Sequence, residues 1–129
     1  DGILTGLLLV EMMQQEKKPI LALVEDMEKR FGKYRYHRQD IEIPLKTREK
    51  VVKRLFTKLQ GKGAKKIFKH KIVEKKTSDG LKFIFDDESW LLIRTSGTEP
   101  IIRVYSEAHS DKEAKGLIAI VDRLSKTIK

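Results

Sequence analysis

The chain contains no cysteine among its 129 residues. That excludes a disulfide framework, a thiolate zinc site and a cysteine nucleophile, and it makes a reducing cytoplasm the simplest setting. Long apolar runs are equally scarce. The stretch Ile3 to Met13 is interrupted by Thr5, Gly6 and Glu11, and it falls short of the roughly 20 residues that span a bilayer. It also lacks the basic lead-in of a signal peptide, so the sequence reads as soluble and without a membrane partner. No initiator methionine is present: Asp1-Gly2 opens directly into an apolar helix pattern, as expected of a piece of a longer chain. Repeats and low-complexity segments are missing too.

What is abundant is positive charge, a formal +9. Clustered Lys and Arg neutralise nucleic-acid backbones, so a basic nucleic-acid-binding module is the alternative to weigh. The clusters themselves are ordinary. Lys62, Lys65 and Lys66 follow Gly61 in a loop, and Lys53, Arg54 and Lys58 interleave with apolar residues as the wet side of a helix. A solvated face accounts for both, because charge speaks to solubility and steering and not to fold.

Hydrophobic spacing predicts the elements. Asp1 caps a helix to about Glu16 whose apolar residues lie nearly all round it, the pattern of a buried helix. Pro19 suits the start of a second helix, with Ile20, Leu23, Val24, Met27 and Phe31 at helical spacing and Gly32 as its stop. A boundary is placed after residue 33, giving segments 1–33 and 34–129.

From Tyr34 to Ile43 aromatic and β-branched residues alternate with charges, as in a strand. Thr47 is expected to cap a helix with the stripe Val51, Val52, Leu55, Phe56 and Leu59, closed by Gly61. Strands are predicted at Ile67 to Lys75 and Leu81 to Phe85, joined through Ser78-Asp79-Gly80, where both Asp and Gly tolerate positive φ. Trp90 to Ile93, apolar throughout, is predicted to be the most buried strand, and Ile101 to Ala108 is the last. Ser110 and Glu113 match a capping box ahead of a helix carrying Ala114, Leu117, Ile118, Val121, Leu124 and Ile128. The order strand, helix, four strands, helix predicts an α+β unit, an antiparallel sheet with two helices packed on one face.

The stretch from Arg94 to Arg103, R-T-S-G-T-E-P-I-I-R, carries the chemistry. A hairpin register setting Arg94 opposite Arg103 would put two guanidinium groups on one face, flanking the loop, with Ile93 and Val104 meeting on the other face toward the helices. Between them stand Ser96, Gly97 and Thr98: hydroxyl donors, exposed N–H groups, and a glycine permitting the curvature that makes them converge on a phosphate. Arg adds forked, permanently charged donors. Pro100 stiffens the exit, and Glu99, whose charge repels phosphate, is expected to point away and pair with a nearby base. His37, His70 and His109 stand far apart among polar neighbours and read as surface residues. Asp86, Asp87 and Glu88 read as an acidic turn in preference to a cation site.

This stretch resembles the phosphate-binding loop in the last domain of the α-D-phosphohexomutases, with Arg94, Ser96, Gly97, Thr98, Glu99, Pro100 and Arg103 in family places. On that resemblance residues 1–33 look like the helical end of the third domain plus linker, and residues 34–129 like the fourth, whose fold is similar to that of the TATA-box-binding protein. The resemblance implies a cytoplasmic isomerase that moves a phosphoryl group between the 1- and 6-positions of a hexose through a bisphosphorylated intermediate. A phosphoserine and a magnesium ion in upstream domains do the transfer, while Arg94, Ser96, Gly97, Thr98 and Arg103 hold the non-reacting phosphate. The implied partners are the hexose phosphate and the upstream domains. No T-A-S-H-N-P-like phosphoserine segment, D-G-D-G-D-like magnesium loop or G-E-x-S-G-H-like sugar loop occurs in the chain. The chain alone is therefore expected to be inactive, with no catalytic residue or metal ligand of its own, and the choice among glucose, mannose and glucosamine lies outside it.

Overall fold

A computed structural model of the chain describes residues 1–44, 46–61 and 68–128. They form two compact units, Asp1–Lys33 and Tyr34–Lys129. The loop lysines Lys62, Lys65 and Lys66, and Ile67 at the start of a predicted strand, lie outside the described residues.

The first unit is a pair of helices, α1 (Gly2–Glu16) and α2 (Ile20–Phe31). Asp1 Oδ1 accepts from the amides of Ile3 and Leu4, at 3.0 and 3.2 Å, which satisfies N–H groups left free at a helix start. Lys17 ends α1 in the left-handed conformation, and Gly32 ends α2 at φ 90°. Lys18 Nζ meets Asp26 at 2.6 Å, tying the turn back onto α2. Neither helix has a buried residue. The apolar residues of α1, of the kind a buried helix carries, are thus uncovered here: Ile3 is 80% exposed and Leu7 64%.

The second unit is a five-stranded sheet of order β1-β5-β4-β3-β2, antiparallel throughout. Its strands are β1 (Arg35–Glu42), β2 (Ile72–Lys76), β3 (Leu81–Phe85), β4 (Trp90–Thr95) and β5 (Ile101–Ala108). Helices α3 (Arg48–Gln60) and α4 (Asp111–Thr127) supply the other layer. Val51, Leu55 and Leu59 of α3 and Leu117, Ile118 and Val121 of α4 are buried in one cluster with Phe83, Leu91, Ile93, Ile102 and Val104. The predicted α+β arrangement, with both apolar stripes on one face of the sheet, is the one observed.

Local differences have identifiable causes. Ser110 caps α4 as expected, its hydroxyl accepting from the Glu113 amide, while the Glu113 carboxylate closes back on that same hydroxyl. Thr47 does not cap α3: it sits in helical geometry, and its hydroxyl donates to the Pro44 carbonyl. Strand β2 starts only at Ile72, while Phe68 turns into the core and stacks on Phe83 and Phe85 at centroid distances of 5.3 and 5.1 Å. Strand β4 is not buried on both sides. Leu91 and Ile93 are fully buried, whereas Trp90 and Leu92 are only half-covered on the outer face.

Candidate functional site

Strands β4 and β5 pair with Arg94 opposite Arg103, Ile93 opposite Val104 and Thr95 opposite Ile102. Alternation does the rest: Ile93 and Val104 are fully buried toward the helices, and the two arginines stand together on the outer face. The loop between them is fastened at its base. Ser96 N donates to Ile101 O at 3.2 Å, and Ile43 N donates to Pro100 O at 2.9 Å, joining the exit to the end of β1.

Within the loop the sequence-derived residues divide into two kinds. Gly97 and Thr98 are exposed, and a Cβ built on Gly97 would meet nothing within 4 Å. Gly97 does not take a positive φ, so the curvature of the loop does not require glycine there. What glycine provides is unobstructed access to the backbone. Ser96 is only 3% exposed, and its Oγ accepts from the Glu99 amide at 3.2 Å while lying 3.5 Å from the Glu99 carboxylate. In this state the Ser96 hydroxyl holds the loop in shape and faces inward.

Glu99 does pair with a base but does not point away from the site, since the base is Arg103, whose Nη2 donates to Glu99 Oε2 at 2.6 Å. Arg94 has its own carboxylate, with Nη1 3.1 Å from Asp79 Oδ2. The Nε atoms of both arginines are buried without a hydrogen-bond partner among the described residues. Asp40, the β1 neighbour of Arg103, is chelated by Arg38 at 2.9 and 2.6 Å. The Arg38 pair, with Arg103 adding to it, holds the Asp40 carboxyl below its ordinary range. Two guanidinium groups therefore flank a loop whose Gly97 and Thr98 are exposed, Arg94 paired with Asp79 and Arg103 with Glu99.

The outer face continues away from the loop as an aromatic and basic surface. Lys82 Nζ lies 4.3 Å from the Trp90 ring centroid, and Arg38 lies 5.6 Å from that of Tyr105. Trp90 Nε1 donates to Glu107 at 2.9 Å.

Spacing gave no hint that any histidine would meet the acidic turn, yet His70 Nδ1 lies 3.7 Å from Asp86 and 3.4 Å from Asp87. The Lys71 amide donates to Asp86, and the Ser89 amide and hydroxyl donate to Asp87. The group pins the β3–β4 turn onto the segment leading into β2. It does not suit magnesium, which prefers an all-oxygen shell with several waters. His37 pairs instead with Asp111, and His109 with the Asp87 carbonyl, each at 2.7 Å. Sequence reasoning also missed Asp79 as a neighbour of Arg94, because finding it needs the β3–β4 register, Leu81 opposite Ile93.

Comparison with known proteins supplies the context. Residues 10–124 match the family model described as phosphoglucomutase/phosphomannomutase, C-terminal domain. A phosphoglucosamine mutase of Methanococcus aeolicus is 37% identical over 118 residues, covering 92% of this chain and 23% of that protein. A phosphoglucomutase/phosphomannomutase of Thermococcus kodakarensis is 35% identical over 117 residues, covering 89% of this chain and 22% of its own. The chain thus spans about a quarter of the length of such relatives. Among solved structures, the open form of parafusin, an exocytosis-sensitive phosphoprotein and phosphoglucomutase from Paramecium, superposes with a TM-score of 0.59 at 21% identity, over 83% of this chain and 22% of that one. That likeness establishes the fold.

Proposed function

The chain belongs to the phosphoglucomutase/phosphomannomutase family as its C-terminal domain, and from that premise we propose that it grips the non-reacting phosphate of a hexose phosphate. Residues 34–129 are the gripping domain, and residues 1–33 are the helical end and linker of the domain before it. The supporting observation is the register that sets Arg94 against Arg103 across the mouth of a loop with Gly97 and Thr98 exposed.

Arg94 and Arg103 provide charge and forked donors, Thr98 a hydroxyl, and Gly97 accessible backbone N–H. Ser96 contributes first by shaping the loop, and its hydroxyl reaches an anion only by turning away from Glu99. In a whole mutase, attachment of a remote phosphate supplies binding energy that positions the reacting end of the sugar. The transfer between the 1- and 6-positions belongs to a phosphoserine and magnesium elsewhere in the whole protein, and no step of it runs through residues of this chain. The chain by itself is inactive on this reading.

The test is an amide-shift titration of the isotope-labelled chain with glucose 1-phosphate, and with inorganic phosphate in parallel. A few charge-assisted bonds, each about 1.5 to 3 kcal/mol before association costs, give an affinity on the order of millimolar. Saturable shifts confined to Thr95 through Arg103, abolished by Arg94→Ala, are expected. Shifts scattered over the lysines of α3, or affinity that grows with the length of an added oligonucleotide, would instead favour nucleic-acid binding.

A further inference from the structure

The turn between β2 and β3 lies against the phosphate loop. Gly80 sits at φ +93°, and a Cβ on it would fall 2.4 Å from the Ile93 carbonyl oxygen and 2.9 Å from Arg94 Cβ. No other residue type lets the turn come this close to β4. Leu81 pairs with Ile93, so the approach is continuous with the sheet. The residue before this contact is Asp79, whose Oδ2 lies 3.1 Å from Arg94 Nη1.

The two arms of the grip are consequently held in different ways. Arg103 is held from inside the loop, by Glu99 four residues earlier. Arg94 is held from a separate hairpin, by a carboxylate whose backbone is pinned through Gly80. An arginine side chain has several free torsions, and ordering it costs rotamer entropy unless something orders it beforehand. Resting on the phosphate-binding role proposed above, we infer that Asp79 is a positioning residue for that site: it holds the Arg94 guanidinium over the loop before a phosphate arrives. The contact uses one terminal nitrogen of a fork with five N–H donors. The carboxylate is largely exposed, 72%, and belongs to the neighbouring hairpin. It can keep its corner of the fork while an anion takes other donors, so it acts as a support and not as an occupant of the site.

The test compares the native chain with Asp79→Asn and Asp79→Glu by arginine side-chain NMR and by inorganic phosphate titration. In Asp79→Asn, rotation about the Arg94 Nε–Cζ bond should quicken while that of Arg103 stays as it was. Phosphate should bind roughly three- to tenfold more weakly, the reach of one partly exposed ion pair. Asp79→Glu should restore both, and the amides of Leu91 and Ile93 should not move in either variant. Unaltered Arg94 rotation overturns the inference, as does quicker rotation with unchanged affinity. Tighter phosphate binding also overturns it, making Asp79 a competitor for the arginine. If the native chain shows no loop-confined shifts, the binding role itself fails, and the rotation measurement still decides whether Asp79 holds Arg94.

Discussion

Two glycines near the site do opposite things. Gly80 is required by the backbone: its φ is positive and its missing Cβ makes room for Ile93 O and Arg94. Gly80→Ala should cost about 1 to 3 kcal/mol, read as a lower urea midpoint with the slope unchanged. Gly97 has open space around it, so Gly97→Ala should shift stability by less than about 0.5 kcal/mol while weakening the phosphate response, because a methyl group then stands before the loop amides. At this scale the arginine pair was legible, since identical residues at mirrored distances from a turn imply a register. The inward turn of Ser96 was not. Whether a hydroxyl faces a ligand or its own loop depends on the competing Glu99 amide, and spacing does not rank those two partners.

The β3–β4 turn is held by polar groups, and this gives it a dependence on acid. Burial pushes the Asp87 carboxyl up, but the Ser89 hydroxyl and amide, helped by the charge of His70, outweigh it and leave Asp87 below the ordinary aspartate range. The unfolded chain then holds its proton more tightly than the folded one. The stabilisation is complete above the ordinary aspartate value and is lost as pH falls through the lower folded one. Melting temperatures of the native chain and Asp87→Asn should differ at about pH 6 and converge toward about pH 2. A constant gap across that range would remove the carboxylate from the account. Among the elements, helices were the most legible, because Asp1, Gly32 and the Ser110–Glu113 box mark their ends chemically. The apolar run at Trp90 misled, because a run of that kind does not distinguish a strand covered on both faces from one whose outer Trp90 is only half-covered, beside Lys82 and Tyr36.

The two units differ in kind. Residues 34–129 bury a continuous core between sheet and helices, whereas α1 and α2 bury nothing and present Leu7, Leu8, Leu21, Met27 and Phe31 to solvent. Apolar surface of that extent seeks cover. The chain should therefore self-associate with rising concentration in sedimentation experiments, and Leu7→Lys with Leu8→Lys should suppress it; a mass independent of concentration would sink this expectation. The fold of the larger unit was legible from element order, and the smaller one was legible as helices whose apolar residues want burial, since periodicity reports that want and not what covers them. The strand order carries one consequence of another kind. The strands bearing Arg94 and Arg103 are sequence neighbours, while β1, which flanks β5 on its other side, comes from the beginning of the unit. Closing that distant pairing carries the larger loop-closure entropy and is expected to be the slow event in assembly. In pulse-labelled refolding, the loop and its hairpin should gain protection first, leaving the Arg103 strand briefly as a sheet edge that a second unfolded copy could occupy in place of β1.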